Sequence, residues 1–300
     1  MLKNFVIIGV GGYIAERHLR AIKDTHNNLL AALDKHDSVG ILDTYFPETA
    51  FFTEFERFDR HIEKIKRQGT QIHYVVVCSP NYLHDAHIRF GLRIKADVIC
   101  EKPLVLNPWN VDALMELANE TQQKVYTVLQ LRLHPTIVNL RQQILQAPTN
   151  KMFTVNLQYI TPRGNWYHNS WKGQVEKSGG IATNIGIHFF DILIWIFGAV
   201  QYNKVHVHTP TKASGQITLQ RATVNWALSI DKQDLPLENN AATKSVRVLE
   251  VDGEQIDFSQ GFENLHTQFY EQLLLNTATE MTEVKPLIAL LANIRNQVNE

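Results

Sequence analysis

The chain has 300 residues, of which 44% are hydrophobic and 20% are charged, and its 29 lysines and arginines nearly balance its 30 aspartates and glutamates. This is the composition of a globular protein with a substantial core, and the length suggests about two domains. The formal net charge of -1 argues against a nucleic-acid binder, which would carry a basic excess. The longest apolar stretch, residues 189–200, is interrupted by Asp191 and Gly198 and is too short to span a bilayer. We therefore expect neither nucleic acid nor a membrane as a partner.

The N-terminal sequence and the cysteine count indicate where the protein works. The segment MLKNFVIIGVGG runs directly into glycines, which is typical of a first strand and not of a signal peptide. Cys78 and Cys100 are the two cysteines, too few for a disulfide framework, and they fit a reducing compartment. We expect a cytoplasmic protein.

The first third of the chain alternates short apolar runs with amphipathic segments. The apolar runs are rich in β-branched residues and lack polar alternation, as expected for parallel strands covered on both faces. These predicted strands are residues 5–9, 29–33, 73–78, 96–100 and 125–129. Helices are predicted at residues 14–23, 56–68, 83–92 and 111–120. The alternation predicts an α/β domain with a doubly wound parallel sheet, a Rossmann dinucleotide-binding domain, over residues 1–122.

The pattern changes after about residue 150, where strand-like segments follow one another with few helices between them. The predicted strands are residues 152–160, 204–208, 216–219, 222–228, 245–251 and 255–258. The predicted helices are residues 187–196, 262–275 and 284–299. We expect an α+β domain with a largely antiparallel open sheet over residues 123–300, serving substrate binding and oligomerisation.

Gly9, Gly11 and Gly12 follow the first strand and open a helix. Such a turn needs backbone freedom and lets a pyrophosphate approach the helix N-terminus. Ile14 stands where the third glycine of GxGxxG is usual, so helix–strand packing must differ there. The alternative is a tight turn that binds nothing.

Asp34 ends the second predicted strand, 22 residues after Gly12, close to the spacing of about 20 for an acid that binds the adenosine ribose. A carboxylate there accepts hydrogen bonds from ribose hydroxyls and repels a 2′-phosphate, which favours NAD over NADP. Lys35 and His36 weaken this inference because a cation tolerates the phosphate. Asp34 as a helix cap or exposed loop acid is the alternative.

Two further motifs follow predicted strands: CSPNYLH at residues 78–84 and Glu101-Lys102-Pro103. Ligands bind at the carboxyl ends of strands in open α/β sheets. A partly desolvated Lys102 is a sensible catalytic group because burial lowers a lysine pKa toward neutrality. A solvated surface lysine is the alternative reading.

The segment SGGIATNIGIHFFD, residues 178–191, combines flexible glycines with an apolar helix. His188 and Asp191 are three residues apart and share one helical face, so Asp191 could support His188. A buried histidine satisfied by a carboxylate is an equally good reading.

Paired histidines occur at His84 and His87 and at His206 and His208. No further Cys, Asp or Glu completes a convincing set of ligands, so we predict no metal.

Together these motifs, in their order and spacing, resemble the glucose-fructose oxidoreductase / inositol dehydrogenase (Gfo/Idh/MocA) family of sugar dehydrogenases. The resemblance implies catalysis by Lys102 and His188 beside the nicotinamide. It implies NAD as cofactor, bound by Gly9, Gly11, Gly12, Tyr13, Ile14, Asp34, Lys35, Ser79, Asn81, His84, Glu101 and Gln130. Asn184 stands where the family often has Asp, which favours a substrate contact over proton transfer.

Further segments, among them GGYIAERH, Gln130-Leu131-Arg132 and residues 161–173, are similar to one branch of that family. This branch comprises the UDP-N-acetylglucosaminuronate 3-dehydrogenases of bacterial lipopolysaccharide O-antigen synthesis. The resemblance implies oxidation at carbon 3 of a nucleotide sugar, a homo-oligomer, favoured as a tetramer, and recycling of NADH with 2-oxoglutarate in some members.

Residues 159–172 concentrate cations and aromatic side chains. A substrate with a uronate carboxylate and a diphosphate needs charge-assisted donors, and arginine is suited to bidentate contacts. A subunit-interface loop, also rich in Trp and Arg, is the alternative. The predicted substrate-binding residues are Lys102, Arg132, Tyr159, Arg163, Trp166, Lys172, Thr183, Asn184 and His188.

Two rival functions stay open at this point. One is another sugar or inositol dehydrogenase with a neutral substrate. The other is a catalytically silent NAD-binding regulatory protein, against which the presence of both Lys102 and His188 argues.

Overall fold

A computed structural model describes residues 2–236 and 245–297 of the chain. Contacts divide the described chain into two units. The first unit contains the chain up to Val105, Trp109–Val128 and Glu263–Glu283. The second contains Leu106–Pro108, Leu129–Phe262 and the chain from Val284 on. The sequence predicted two contiguous domains that meet at residue 122. In the structure, the segment Glu263–Glu283 also packs within the first unit.

The first unit is built on a six-stranded, all-parallel sheet with the order β3-β2-β1-β4-β5-β6. Its central strands are almost completely buried, which explains their unbroken apolar sequences. The strands are β1 Asn4–Ile8, β2 Asn28–Leu33, β3 Ala50–Phe52, β4 Tyr74–Val77, β5 Asp97–Cys100 and β6 Val125–Thr127.

Helices follow the strands of this sheet. They are α1 Ala15–Asp24, α2 Ile41–Tyr45, α3 Phe55–Arg67, α4 His84–Arg93, α5 Pro108–Thr121 and α10 Leu265–Leu274. Helix α10 packs on α1 because its buried Tyr270 reaches both the Phe5 ring, 5.7 Å between centroids, and the His18 side chain. Helix α2 and strand β3 were not predicted, since segments of five and three residues carry too little periodicity.

The second unit contains a six-stranded sheet with the order β12-β11-β7-β10-β9-β8. All neighbours are antiparallel except β7 and β10, which are parallel. The strands are β7 Phe153–Ile160, β8 Val200–His208, β9 Lys212–Leu219, β10 Ala222–Ser229, β11 Val246–Val251 and β12 Glu254–Gln255. The predicted fold class, a parallel Rossmann sheet followed by a mostly antiparallel sheet, is confirmed.

The helices of the second unit are α6 Pro135–Gln146, α7 Asn165–Asn169, α8 Val175–Ser178, α9 Ile187–Phe197 and α11 Lys285–Asn296. One helical stretch, Val175–Phe197, is long and apolar enough to cross a membrane, but 78% of its most apolar window is buried inside the protein. This is the environment of a core helix. Helix α6 was not predicted, and residues 298 and 299 of the predicted last helix lie outside the described residues.

One face of the second sheet is lined with polar side chains. Residues of β7 alternate between buried and exposed, as expected for a sheet with one solvated face. On the solvated face Asn156 donates to Glu250 at 3.0 Å, Asn225 donates to Asn156 at 3.3 Å, and Gln216 donates to Asn225 at 3.1 Å. A row of hydrogen-bonded side chains thus crosses four strands.

The packing of α4 on the first sheet gives a direct test of the fold. A Cβ atom on Gly91 would lie 2.5 Å from Val98 Cγ2 and 3.2 Å from Val75 Cβ, so Gly91→Ala must push the helix off the sheet. We expect the free energy of unfolding to fall by about 1–3 kcal/mol, measured by urea titration. Gly40→Ala is the matched control because no atom lies within 4 Å of its Cβ position. Equal stabilities of the two variants would contradict this packing.

Candidate active site

The glycine turn of the first unit brings two main-chain segments into close contact. Gly9 has φ +91°, and a Cβ there would lie 2.6 Å from Cys78 C and Ser79 N. Only glycine fits this position, both for its backbone conformation and for the space. The Gly12 N–H donates to Gly9 O at 3.1 Å, and α1 begins three residues later without a side-chain cap. The Ala15 N–H donates to Gly12 O at 3.0 Å, and because no side chain caps this end of α1, the positive end of the helix dipole is open to an anion.

Asp34 lies beside this turn, as the spacing predicts. Its Oδ2 accepts the Gly11 N–H at 2.9 Å, and its Oδ1 accepts the His36 N–H at 3.0 Å. The carboxylate is half-buried, whereas Lys35, His36 and Tyr13 are exposed, Tyr13 by 89%. Asp34 therefore holds the glycine turn and keeps acceptor positions open at the carboxyl end of β2.

The loops that follow β4 and β5 are joined by His84. Its Nδ1 lies 2.7 Å from Pro103 O and its Nε2 lies 2.8 Å from Ser79 O. Burial lowers the pKa of His84 below its ordinary value, although the bonds to both carbonyls oppose this. A neutral ring donates to one carbonyl only. Ser79 and Asn81 are buried in the same loop, so three predicted cofactor-binding residues lie together.

Glu101 and Lys102 follow β5, and the Glu101 carboxylate is surrounded by buried groups. Its Oε1 lies 3.0 Å from His18 Nε2 and 3.3 Å from His266 Nε2, and its Oε2 accepts the Lys102 N–H at 3.2 Å. The sequence reasoning missed both histidines. The one signal in the sequence was His18 itself, which ends the motif GGYIAERH at the start of α1.

Together, His18, Glu101 and His266 have residue types and spacing that could hold a metal ion. The predicted lack of a metal was argued from His84, His87, His206 and His208, and it stays a prediction.

In the second unit, a π-helical segment, Ala182–Gly186, leads into α9. Such segments displace side chains from the regular helical positions and are frequent at functional sites. Here the segment carries Thr183 and Asn184, and His188 lies in the first turn of α9. The Thr183 hydroxyl is buried, and within the described ranges 2–236 and 245–297 it has no hydrogen-bond partner.

Asn184 connects this segment to the loop of cationic and aromatic residues that follows β7, residues 161–173. Its amide donates to Tyr167 Oη at 2.9 Å and to Lys172 O at 3.4 Å. The ammonium of Lys172 lies 5.4 Å from the ring centroid of Trp166 and 5.7 Å from that of Trp171. Burial and the field of Arg163 lower the pKa of Lys172 below its ordinary value.

The loop therefore gathers Arg163, Trp166, Lys172 and Asn184 as predicted, with Tyr167 as an additional member. Trp166 is 55% exposed and Arg163 is exposed, so a surface-bound anion can reach both.

Arg132 is buried and forms an ion pair that the sequence did not predict. Its guanidinium donates from Nε to Asp191 Oδ1 at 3.2 Å and Oδ2 at 3.0 Å, and from Nη2 to Oδ1 at 2.8 Å. A buried bidentate pair of this kind is costly to break. Asp191 therefore orients Arg132, and its support of His188 stays a prediction.

Two further predicted residues belong to other elements of the second unit. Tyr159, on β7, packs on Phe189 with 5.0 Å between ring centroids, and the guanidinium of Arg247 lies 5.6 Å from its ring. Gln130 lies in a short 3₁₀ helix of the second unit, while the other predicted cofactor-binding residues lie in the first.

The first unit fits a dinucleotide. A glycine-lined approach to an uncapped helix N-terminus suits a pyrophosphate, and the Asp34 carboxylate suits ribose hydroxyls. At Gly11 a Cβ would lie 3.1 Å from Asp34 Oδ2, so a side chain at this position would crowd the carboxylate.

Comparison with known proteins agrees with these features. Residues 3–129 match the oxidoreductase family's NAD-binding Rossmann fold, and residues 149–231 match its C-terminal alpha/beta domain. Putative oxidoreductase YteT of Bacillus subtilis is 25% identical over 203 residues, which are 66% of this chain and 47% of that protein. The chain thus spans about half the length of this curated relative.

Solved structures extend the similarity to the whole chain. The WlbA (WbpB) dehydrogenase from Thermus thermophilus is 42% identical, with a TM-score of 0.96 over 100% of this chain and 96% of that one. It was solved with NAD and UDP-GlcNAcA and with NAD and alpha-ketoglutarate. The WlbA dehydrogenase from Bordetella pertussis, 18% identical with a TM-score of 0.79 over 98% and 95% of the two chains, shares the fold. The chain therefore belongs to the Gfo/Idh/MocA oxidoreductase family of NAD-dependent dehydrogenases, as its motifs predicted.

Proposed function

We propose that this dehydrogenase oxidises the 3-hydroxyl of UDP-N-acetylglucosaminuronate to a 3-keto sugar in the nucleotide-sugar synthesis that supplies lipopolysaccharide O-antigen. The observation that carries the proposal is the 42% identity over the whole chain to a dehydrogenase crystallised with NAD and UDP-GlcNAcA. The alternatives are a dehydrogenase for a neutral sugar or inositol and a silent regulatory protein.

The loop of the second unit supports an anionic substrate. Burial lowers the pKa of Lys172, and the nearby Arg163 cation lowers it further, so a bound carboxylate or phosphate would relieve the repulsion between the two cations. Trp166 offers a large exposed ring beside them. We propose that this loop binds the charged groups of the substrate, with Arg132 and Tyr159 as further contacts.

The π-helical segment supports recognition of the sugar. The buried Thr183 hydroxyl can donate to or accept from a substrate hydroxyl, and Asn184 is oriented by Tyr167. Because an amide does not titrate, Asn184 binds substrate and takes no part in proton transfer.

We assign the cofactor to the carboxyl edge of the first sheet. The glycine turn with Tyr13 and Ile14 would hold the pyrophosphate, Asp34 and Lys35 would face the adenosine ribose, and Ser79, Asn81, His84 and Gln130 would border the nicotinamide side. When bound, NAD supplies the hydride acceptor, carbon 4 of its nicotinamide.

We assign catalysis to Lys102 and His188. The substrate carbon loses a hydride and its hydroxyl loses a proton, so the chain must orient the alcohol and accept that proton. The ordinary pKa of an imidazole is near neutral pH, which suits a group that accepts the hydroxyl proton. An ammonium can polarise the hydroxyl oxygen. The opposite division of these roles between Lys102 and His188 is the alternative assignment.

A second substrate belongs to the proposal. The Thermus protein was also crystallised with alpha-ketoglutarate. A 2-oxo acid can take back one hydride and one proton to become a 2-hydroxy acid, so 2-oxoglutarate would restore NAD without release of the cofactor.

We also propose a cytoplasmic homo-oligomer, with a tetramer favoured. The solvated face of the second sheet carries the hydrogen-bonded row of Asn156, Asn225, Gln216 and Glu250, a broad polar surface suited to a second subunit. Cys78 and Cys100 are both buried free thiols, in keeping with a reducing compartment.

The test is a single-turnover reaction of UDP-N-acetylglucosaminuronate with NAD, followed by NADH absorbance. Lys102→Met and His188→Asn should each reduce the rate by about 10²-fold or more if both groups serve proton transfer. Lys64→Met and His206→Asn, which replace exposed side chains, are the matched controls and should keep the wild-type rate.

Each contrary outcome points to a different alternative. Near-normal rates in both Lys102→Met and His188→Asn would contradict the catalytic assignment. Equal activity on a sugar without the UDP and uronate groups would favour the neutral-substrate enzyme, and no absorbance change at all would favour the regulatory protein.

The position of Asp34 predicts cofactor preference. Because its carboxylate accepts from ribose hydroxyls and repels a 2′-phosphate, NAD should bind about tenfold or more tightly than NADP, and Asp34→Ala should remove most of this difference. Calorimetric titration of both cofactors measures it. Asp37→Ala, at an exposed aspartate three residues further on, is the control. Equal affinity of the wild type for NAD and NADP would refute the assignment.

A further inference from the structure

The buried cluster around Glu101 contains two histidines, His18 and His266, to which no role has been assigned so far. His18 is 0% exposed, His266 3% and Glu101 6%, and all three belong to the first unit. An ionisable group this far from solvent is retained only where partners stabilise it. The cluster comes from α1, α10 and the end of β5, three elements with no common sequence motif.

The hydrogen bonds define where the protons lie. Both histidines direct Nε2 at the same oxygen, Glu101 Oε1, at 3.0 and 3.3 Å. A carboxylate oxygen only accepts, so each ring must carry its proton on Nε2. His18 Nδ1 then accepts from the Tyr270 hydroxyl, which lies 2.8 Å away. One buried anion is thereby held by two N–H donors.

The electrostatic environment agrees with this arrangement. Burial disfavours the Glu101 carboxylate, but the hydrogen bonds from His18 and His266 outweigh it and hold the pKa of this carboxyl well below its ordinary value. Burial lowers the pKa of His18, and the bond to Glu101 offsets this only in part. Burial also raises the pKa of the nearby Cys78 and Cys100 thiols, so they add no charge.

The second carboxylate oxygen of Glu101 is hydrogen-bonded to the main chain of Lys102. Oε2 accepts the Lys102 N–H at 3.2 Å. The main chain that carries the proposed catalytic lysine is therefore bonded to a carboxylate that α1 and α10 fix from two sides.

We propose that Glu101 is a positioning residue whose carboxylate, oriented by His18 and His266, fixes the main chain of Lys102 and does not bind NAD. The inference departs from the cofactor-binding role that the family resemblance implies for Glu101, because this carboxylate is only 6% exposed and is enclosed by His18, His266 and the Lys102 N–H, whereas the Asp34 carboxylate is half-buried and open on one side. It rests on the proposed function in so far as Lys102 is catalytic.

The primary experiment uses Glu101→Gln in the full chain. The amide keeps the shape of the side chain but turns one acceptor into a donor, which faces either the Lys102 N–H or the histidine donors. Amide hydrogen exchange at Lys102, read by mass spectrometry, should become about tenfold faster, and kcat should fall about tenfold or more because the lysine is misplaced. The dissociation constant for NAD should stay within about twofold.

A pair of variants at His266 separates orientation from mere folding. His266→Gln keeps an N–H donor for Glu101 and should retain most of kcat and of the exchange protection, whereas His266→Leu should lose both. Thr267→Ala, on the same helix with an exposed hydrogen bond to Asp24, is the control. Should Glu101→Gln fail to fold, the same readouts on the His266 pair decide.

Three results would overturn the proposal. The first is NAD binding weakened more than about tenfold in Glu101→Gln with kcat kept at saturating NAD, the result for a cofactor ligand. The second is unchanged exchange and kcat in both Glu101→Gln and His266→Leu. The third is one equivalent of a divalent metal in the purified protein that His266→Leu loses. If the wild type shows no turnover, the proposed function fails by itself, and exchange at Lys102 with NAD affinity still decides this inference.

Discussion

The structure of the first unit depends on the close approach of two main-chain segments, the turn after β1 and the end of β4. At Gly9 this approach leaves no room for a Cβ, which would lie 2.6 Å from the backbone at Cys78 and Ser79. The loops that follow β1, β4 and β5 are thereby held at one edge of the sheet, and His84 joins two of them through their carbonyls. The candidate cofactor-binding residues of this unit are close together because this backbone approach and the buried His84 side chain fix the loops.

Charge is arranged locally in a chain that is almost neutral overall. With a formal net charge of -1, long-range attraction of an anion is weak, and binding must rely on short-range donors. The loop with Arg163 and Lys172 supplies such donors, and the half-burial of Lys172 strengthens the field of its ammonium. The negative charge of Glu101, in contrast, does not face a ligand, since donors of the protein itself enclose it. Within the described residues, Arg163 and Lys172 of the second unit are in no ion pair, whereas the first unit encloses the Glu101 anion.

The sequence was sufficient for features whose cause is local. The apolar β-branched runs predicted the parallel strands, the glycine spacing predicted the turn and an acid at the end of the second strand, and the aromatic and cationic residues around 159–172 predicted a shared loop. Short elements such as α2 and β3 were missed because they lack a period. The His18–Glu101–His266 cluster was missed for a different reason. His18 is 83 positions and His266 165 positions from Glu101 in the sequence. Only the packing of α10 on α1 brings the three residues together. The Arg132–Asp191 pair, 59 positions apart, likewise depends on tertiary packing.

The central claim, hydride removal from carbon 3 of UDP-N-acetylglucosaminuronate, is tested most directly with substrate deuterated at that carbon. The protein is incubated with this substrate and NAD, and the reduced cofactor and the sugar are analysed by mass spectrometry. The account predicts one deuterium in each molecule of reduced cofactor and none at carbon 3 of the product. Reduced cofactor without deuterium, with the label retained in the sugar, would contradict it.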